Sequence, residues 1–164
     1  MEKSLLEYII FLAELLIFII GAYYLAISFF SFSVKKSKAL SLKNHKFAVL
    51  IAAHNEEKVI SGIIESLKKQ NYPKDFYDIF VIADNCTDKT AEISKSLGAK
   101  VIERENNVKK GKGFALEYAF EYIFSLGAGY EYAAVFDADN IVDKDFLYYI
   151  NQKINSGARA VQGY

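Results

Sequence analysis

Two carboxylates stand one residue apart in VFDADN, residues 135 to 140, directly after an apolar run. If that run is a buried strand, Asp137 and Asp139 lie at its carboxyl end, where open α/β sheets hold their ligands. Carboxylates this close repel one another unless a cation or hydrogen-bond donors intervene. Oxygen ligands at such a spacing suit a hard divalent ion, Mg2+ or Mn2+, reached directly or through its waters. The same pair also serves as a turn former or helix cap, so its chemistry depends on what else reaches the spot. A Mg2+ held by one or two carboxylates completes its shell with water and phosphate, which points to a diphosphate. Lys109-Lys110-Gly111-Lys112-Gly113 suits such a group. Its glycines permit close backbone approach, its lysines bring charge, and the helix expected after it offers free N–H groups. The alternative for this segment is a surface loop with scattered charge.

Asp84 ends a second apolar run, DIFVIAD. There it could accept from the imide N–H of a pyrimidine base, or cap the next helix, although Asp88 is the better cap or turn residue. His54 could act as a base, but an imidazole at a strand end more often bonds backbone. Cys86 is the only cysteine, which excludes an internal disulfide and fits a reducing compartment. With no histidine partner nearby in sequence, it reads as packing rather than as a nucleophile.

These residues need a scaffold, and the sequence from Phe47 onward alternates strand and helix. FAVLIAA (47 to 53) is a continuous apolar run closed by His54-Asn55, and a helical pattern follows with Val59, Ile60, Ile63, Ile64 and Leu67. Asn55 is the expected cap, Glu56 and Glu57 fall in the first turn, and Tyr72-Pro73 stops the helix. DIFVIAD leads through NCTD into a helix with Ala91, Ile93 and Leu97, closed by Gly98, and KVIE is a short third strand. A helix from about Phe114 to Leu126 should bury Ala115, Ala119, Tyr122, Ile123 and Leu126. EYAAVFDADN supplies a fourth strand, Asp143 caps a last helix carrying Phe146, Ile150 and Ile154, and RAVQGY reads as the start of one more strand. Strands apolar on both faces predict a Rossmann-like, mostly parallel α/β sheet with helices on both sides. His54, Asn55, Glu56, Asp84, Asn85, Asp137 and Asp139 then share one sheet edge.

The first third is different material. Tyr8 to Phe32 is apolar apart from Glu14 and small polar residues, long enough as a helix to cross ~30 Å of hydrocarbon. A core helix would show a polar face, and the apolar part of a cleaved signal is shorter. One transmembrane helix is therefore expected within residues 1–34, a basic linker at 35–46, and the α/β domain at 47–164. Lys35, Lys36, Lys38, Lys43 and Lys46 follow the span while Lys3 alone precedes it. That bias puts the N-terminus outside and the soluble domain in the cytoplasm, with the lysine linker also able to touch anionic headgroups. Glu14 at mid-depth costs about 2.5–3.5 kcal/mol on insertion scales and is either tolerated and idle or turned toward a partner helix.

Composition narrows the classes. At 164 residues and 52% hydrophobic the chain can build one core, and its 20 basic and 20 acidic residues cancel, so no field steers it to nucleic acid. A dinucleotide dehydrogenase would want G-x-G-x-x-G where this chain has AAHNEE. An aspartyl-phosphate phosphatase also uses D-x-D after an apolar strand and stays open on that motif alone.

Four segments in series resemble the family 2 glycosyltransferases, nucleotide-sugar enzymes of GT-A fold. VLIAAHNEE is similar to that family's first strand and nucleotide-binding turn, VIADNCTDKTAEI to its second strand and aspartate-rich turn, KKGKGFALEYAF to its lysine-glycine segment, and FDADN to its D-x-D. The helix before the domain and the AVQGY at its end are similar to membrane-bound, polysaccharide-synthesising members of the cellulose synthase or poly-N-acetylglucosamine kind. The resemblance implies that Ala53 and Asp84 contact the base, with Asn55 and Glu56 in the same nucleotide-binding turn. It places Lys112 beside the diphosphate, Asp137 at the ribose or metal environment, and Asp139 on Mn2+ or Mg2+. It further implies a nucleotide-sugar donor, an inverting transfer and a saccharide or lipid acceptor. Two departures stand out: Ala83 replaces an aspartate found in many members, and the acceptor half with its catalytic base has no counterpart up to Tyr164. A non-catalytic nucleotide-binding or membrane-partner module is the competing expectation.

Overall fold

The computed structural model describes residues 5–31 and 43–163. These fall into two compact units, residues 1–40 and 41–164. In the first, α1 (Leu5–Ser31) is one continuous helix, and its window Glu7–Ser28 is long and apolar enough to cross a membrane, with none of it buried against protein. Lys3, Lys35, Lys36, Lys38 and Phe32 lie outside the described residues.

The second unit is a four-stranded parallel sheet in the order β3-β2-β1-β4. Its strands are β1 (Phe47–Ala53), β2 (Tyr77–Asp84), β3 (Lys100–Arg104) and β4 (Tyr132–Asp137). The helices between them are α2 (Ile60–Lys68), α3 (Thr90–Ser96), α4 (Lys112–Ser125) and α5 (Phe146–Asn155). Strands 1 and 2 are apolar at every second and intervening position because helices cover both faces. Phe47, Val49 and Ile51 pack toward Ile60, Ile63, Ile64 and Leu67 of α2 and Leu147 of α5. Ala48, Leu50, Phe80 and Ile82 pack toward Ala115, Ala119 and Ile123 of α4.

Ala53 pairs with Ala83, Ala52 with Asp137, and Asp84 with Arg104, so the carboxyl ends of all four strands form one level edge.

Several expectations change. Asn55 does not cap α2; it sits at φ +58 and the helix starts at Ile60 behind a turn closed by the Glu56 carbonyl. Val59 is therefore outside the buried stripe. In α4 the buried line is Ala115, Ala119 and Ile123, while Tyr122 and Leu126 are each 45% exposed, since Phe114, Tyr118, Tyr122 and Phe124 spread apolar residues beyond that line and the periodicity does not choose a face. Asp143 accepts from the Asp145 N–H in a turn just ahead of α5 rather than capping its first residue. β4 is not covered on both faces: its residues alternate between half-buried and exposed, because α4 sits over β1 and β2 and leaves Ala133 and Val135 open. Residues 158–163 form no strand. They run instead past α5, with Gly163 so close to the Phe146 ring that a Cβ would meet it at 2.6 Å. Finally, residues 43–46 already bond to the α/β unit: Lys43 Nζ reaches Glu131, and Lys46 Nζ donates to the Ala128 carbonyl at 3.1 Å.

Candidate functional site

A cavity of about 420 Å3 opens on the level edge, between the ends of β1 and β2 and the start of α4. That is within the usual range for small-ligand sites. Ala53, Glu56, Asp84 and Lys112 line it together with His54, Lys110 and Gly111.

The β1 and β2 loops hold one another tightly. Asn55 and Asn85, at φ +58 and +51, are the only non-glycine residues with left-handed backbone among those described. Asparagine tolerates that region better than most residues, and such strain persists where surrounding bonds fix it. Those bonds are present: Asn55 Oδ1 accepts from the Thr87 N–H at 2.7 Å, and Asn85 Oδ1 accepts from the Asn106 N–H at 2.8 Å. Asn55 therefore faces the neighbouring loop and does not line the cavity. The Glu56 N–H donates to Thr90 Oγ1 at 2.8 Å and the Glu57 N–H to Asp88 at 3.0 Å. Asp88 also takes the Thr90 N–H at 3.0 Å, in a turn just ahead of α3 whose cap position is Lys89. Burial pushes its carboxyl up, but the bonds from Thr90 and Glu57 outweigh that and leave it below the ordinary range.

His54 Nδ1 lies 2.7 Å from the Asp84 carbonyl, a backbone bond that fixes the ring. Cys86 Sγ sits 3.5 Å from the Ala53 carbonyl, and burial pushes its thiol up, which suits packing and not nucleophilic attack.

Asp84 is 6% exposed, and its Oδ1 takes Arg104 Nη1 at 2.5 Å and Asn85 Nδ2 at 3.0 Å. Arg104 escaped the sequence reading because it ends a short strand inside a polar stretch. The signal was there: once β2 and β3 pair in parallel, Asp84 and Arg104 fall opposite one another.

Asp137 and Asp139 occupy the neighbouring strand end. Ala138 between them is buried, and both carboxylates are exposed. Lys112 Nζ reaches Asp137 Oδ1 at 2.5 Å, which ties the lysine-glycine loop to the β4 end and brings Asp137 to the rim of the cavity. Asp137 itself lines a second, larger groove of about 690 Å3 along β4, and Asp139 lines neither. Among the described residues no group of three or more His, Cys, Asp or Glu side chains could hold a metal. The pair supplies at most two protein ligands, all hard oxygens. That donor set fits Mg2+ or Mn2+ completed by water and phosphate oxygens, and fits poorly with an all-protein cage.

Residues 48–163 match the model of the family described as "Glycosyl transferase family 2". The chain is 36% identical over 111 residues to "Probable glycosyltransferase YdaM" of Bacillus subtilis, covering 64% of this chain and 25% of that protein. It is 38% identical over 108 residues to a beta-monoglucosyldiacylglycerol synthase of a Nostoc species, covering 63% and 22%. The chain thus spans about a quarter of the length of these relatives. Among solved structures, Staphylococcus aureus TarS 1-349 in complex with UDP-GlcNAc superposes with a TM-score of 0.58 at 23% identity, over 72% of this chain and 37% of that one. Glucosyl-3-phosphoglycerate synthase from Mycobacterium tuberculosis, in complex with Mn2+, UDP and glucosyl-3-phosphoglycerate, superposes at 0.54 with 21% identity, over 74% and 47%. At these identities the two structures establish the fold.

Proposed function

Since this chain belongs to glycosyl transferase family 2, we propose that its α/β unit is the donor-binding part of a membrane-anchored glycosyltransferase that takes a nucleotide-diphosphate sugar, with uridine as the favoured base. The observation that carries this reading is the convergence of Asp84, Lys110 and Lys112 on one 420 Å3 cavity at the carboxyl edge of the sheet.

Each residue has a chemical task. The Asp84 carboxylate, fixed by Arg104, accepts from the N3–H of uracil, and Ala53 offers an apolar wall for the ring. Glu56 shapes the same pocket from the β1 turn, with Asn55 holding that turn in place. Lys110 and Lys112 neutralise diphosphate oxygens beside the N-terminus of α4, whose free N–H groups face anions well. Asp137 and Asp139 face the ribose–diphosphate end, and their carboxylate oxygens would hold a divalent ion there. A bound Mn2+ or Mg2+ would supply electrostatic stabilisation of the charge that grows on the leaving nucleoside diphosphate. In one in-line step a saccharide or lipid hydroxyl would bond to the anomeric carbon as that carbon's bond to the diphosphate oxygen breaks, inverting the centre. The nucleoside diphosphate leaves, and the hydroxyl proton passes to a general base that is not assigned among the described residues.

Two structural neighbours support the donor and the ion: TarS is found with UDP-GlcNAc, and the mycobacterial synthase with UDP and Mn2+. A named lipid glycosyltransferase among the relatives supports a membrane setting, as does the unburied apolar α1. We assign α1 to a single span with the α/β unit on the cytoplasmic side, and Glu14 within it to a partner helix. The test is calorimetric titration of UDP into the full chain in detergent, with and without MnCl2. Metal-dependent binding lost on Asp139→Ala supports the reading, and affinity indifferent to both metal and substitution overturns it. Release of sugar from a UDP-sugar separates a transferase from a module that binds without turnover.

A further inference from the structure

Arg104 is 7% exposed, and its guanidinium is shared among three elements. Nη1 donates to Asp84 Oδ1 at 2.5 Å, at the end of β2. Nη2 donates to the carbonyl of Lys109 at 2.6 Å, at the head of the lysine-glycine loop. The cationic plane lies 6.0 Å from the centre of the Tyr118 ring on α4. Lys110, Gly111 and Lys112, the next residues of that loop, line the same cavity as Asp84. One planar group therefore spans the two walls against which opposite ends of a nucleotide would rest. Both protein donors to Asp84 fall on Oδ1, and among the described residues none reaches Oδ2. A fork with two fixed N–H directions can hold a carboxylate and a carbonyl together, whereas a lysine ammonium has no such geometry.

We propose that Arg104 is a positioning residue for the nucleotide: it aims the free oxygen of Asp84 at the base and anchors the loop that meets the diphosphate, so base preference and phosphate contact are set by one side chain. The inference rests on the nucleotide reading of the cavity. It adds that reading's specificity determinant, at a residue that need not touch the ligand. Uracil donates through N3–H to a carboxylate, and cytosine has no proton on N3. An Asp84 oxygen held in one direction should therefore separate UDP from CDP, and one left to swing should not.

The test titrates UDP and CDP, each with MnCl2, into the full chain in detergent as wild type, Arg104→Lys and Arg104→Gln. Asp78→Asn is the control, because Asp78 sits at the far end of β2 in an ion pair with Lys100 and stands outside the cavity. Arg104→Lys keeps the charge and should remain folded, yet bind UDP about tenfold more weakly with a UDP-to-CDP ratio falling toward one. Arg104→Gln should lose more of both, and Asp78→Asn should change neither. If both Arg104 variants keep UDP affinity within about twofold and the same base ratio, the proposal fails. It also fails if affinity drops with the ratio intact, since that is what a purely structural role would give. A wild-type chain that binds neither nucleotide sinks the cavity reading itself and this inference with it.

Discussion

The ends of β2 and β4 lie on the same sheet edge and each presents an aspartate to the same region, yet they are built differently. Asp84 is buried and paired with a buried arginine, the two side chains 9% and 6% exposed. Asp137 pairs with Lys112 at the same 2.5 Å, but those side chains are 60% and 49% exposed. A buried pair is rigid and costly to break from one side, while an exposed pair contributes little and exchanges readily. The β2 end is thus a rigid, preformed surface, which our proposal assigns to the base. The β4 end is adaptable, with carboxylates that a cation and phosphate can reorganise and a lysine that can leave Asp137 for a ligand.

The largest expected effect breaks the pair at the buried end. Asp84→Ala strands the Arg104 charge in the interior and should destabilise the α/β unit by about 3–5 kcal/mol, whereas Asp137→Asn should cost less than about 1 kcal/mol. Urea unfolding of the two variants checks this, and equal losses would erase the contrast. Next in size, Asp139→Ala should weaken Mn2+-dependent UDP binding by about a hundredfold, close to 2.7 kcal/mol, with an unchanged melting temperature. Lys112→Ala should weaken UDP binding about tenfold while leaving uridine binding as it was, because the lost contact is to phosphate. Uridine affinity measured beside UDP affinity distinguishes the two.

The smallest effect lies at the opposite end of the sheet. Hydrogen bonds from Lys43, then His45, hold the Glu131 carboxyl down at about 2 against an ordinary 4.5. A carboxyl depressed in the folded state stabilises above its unfolded value and loses that contribution as pH falls through the folded value. The stability advantage of wild type over Glu131→Gln should therefore be full above pH 4.5 and shrink between there and about pH 2. Because Glu131 is 36% exposed, solvent screening keeps the effect small. Thermal melts across that range check it, and a constant difference would refute the pairing.

The same contrast explains what could be read from sequence. FAVLIAA and DIFVIAD are buried on both faces, so continuous apolar runs ended by polar residues located β1, β2 and the cavity's Glu56 and Asp84, while Ala53 came only from the family resemblance. YAAVF has the same apolar character, but nothing local states whether a helix will cover it, and α4 leaves one face of β4 open. Asn55 reads as a helix cap from residue type, yet its left-handed backbone turns the side chain to Thr87. Arg104 was hidden for a different reason: its partner lies 20 residues away and becomes a neighbour only through strand register. Composition locates strand ends, and pairing across the sheet decides which side chains meet there.

Diffraction from crystals of the chain grown with UDP and MnCl2 tests the central claim most directly. The account predicts uracil N3 within hydrogen-bond distance of Asp84, diphosphate beside Lys110 and Lys112, and Mn2+ bridging phosphate to Asp139. An unfilled cavity, or a nucleotide seated with its base away from Asp84, would contradict it.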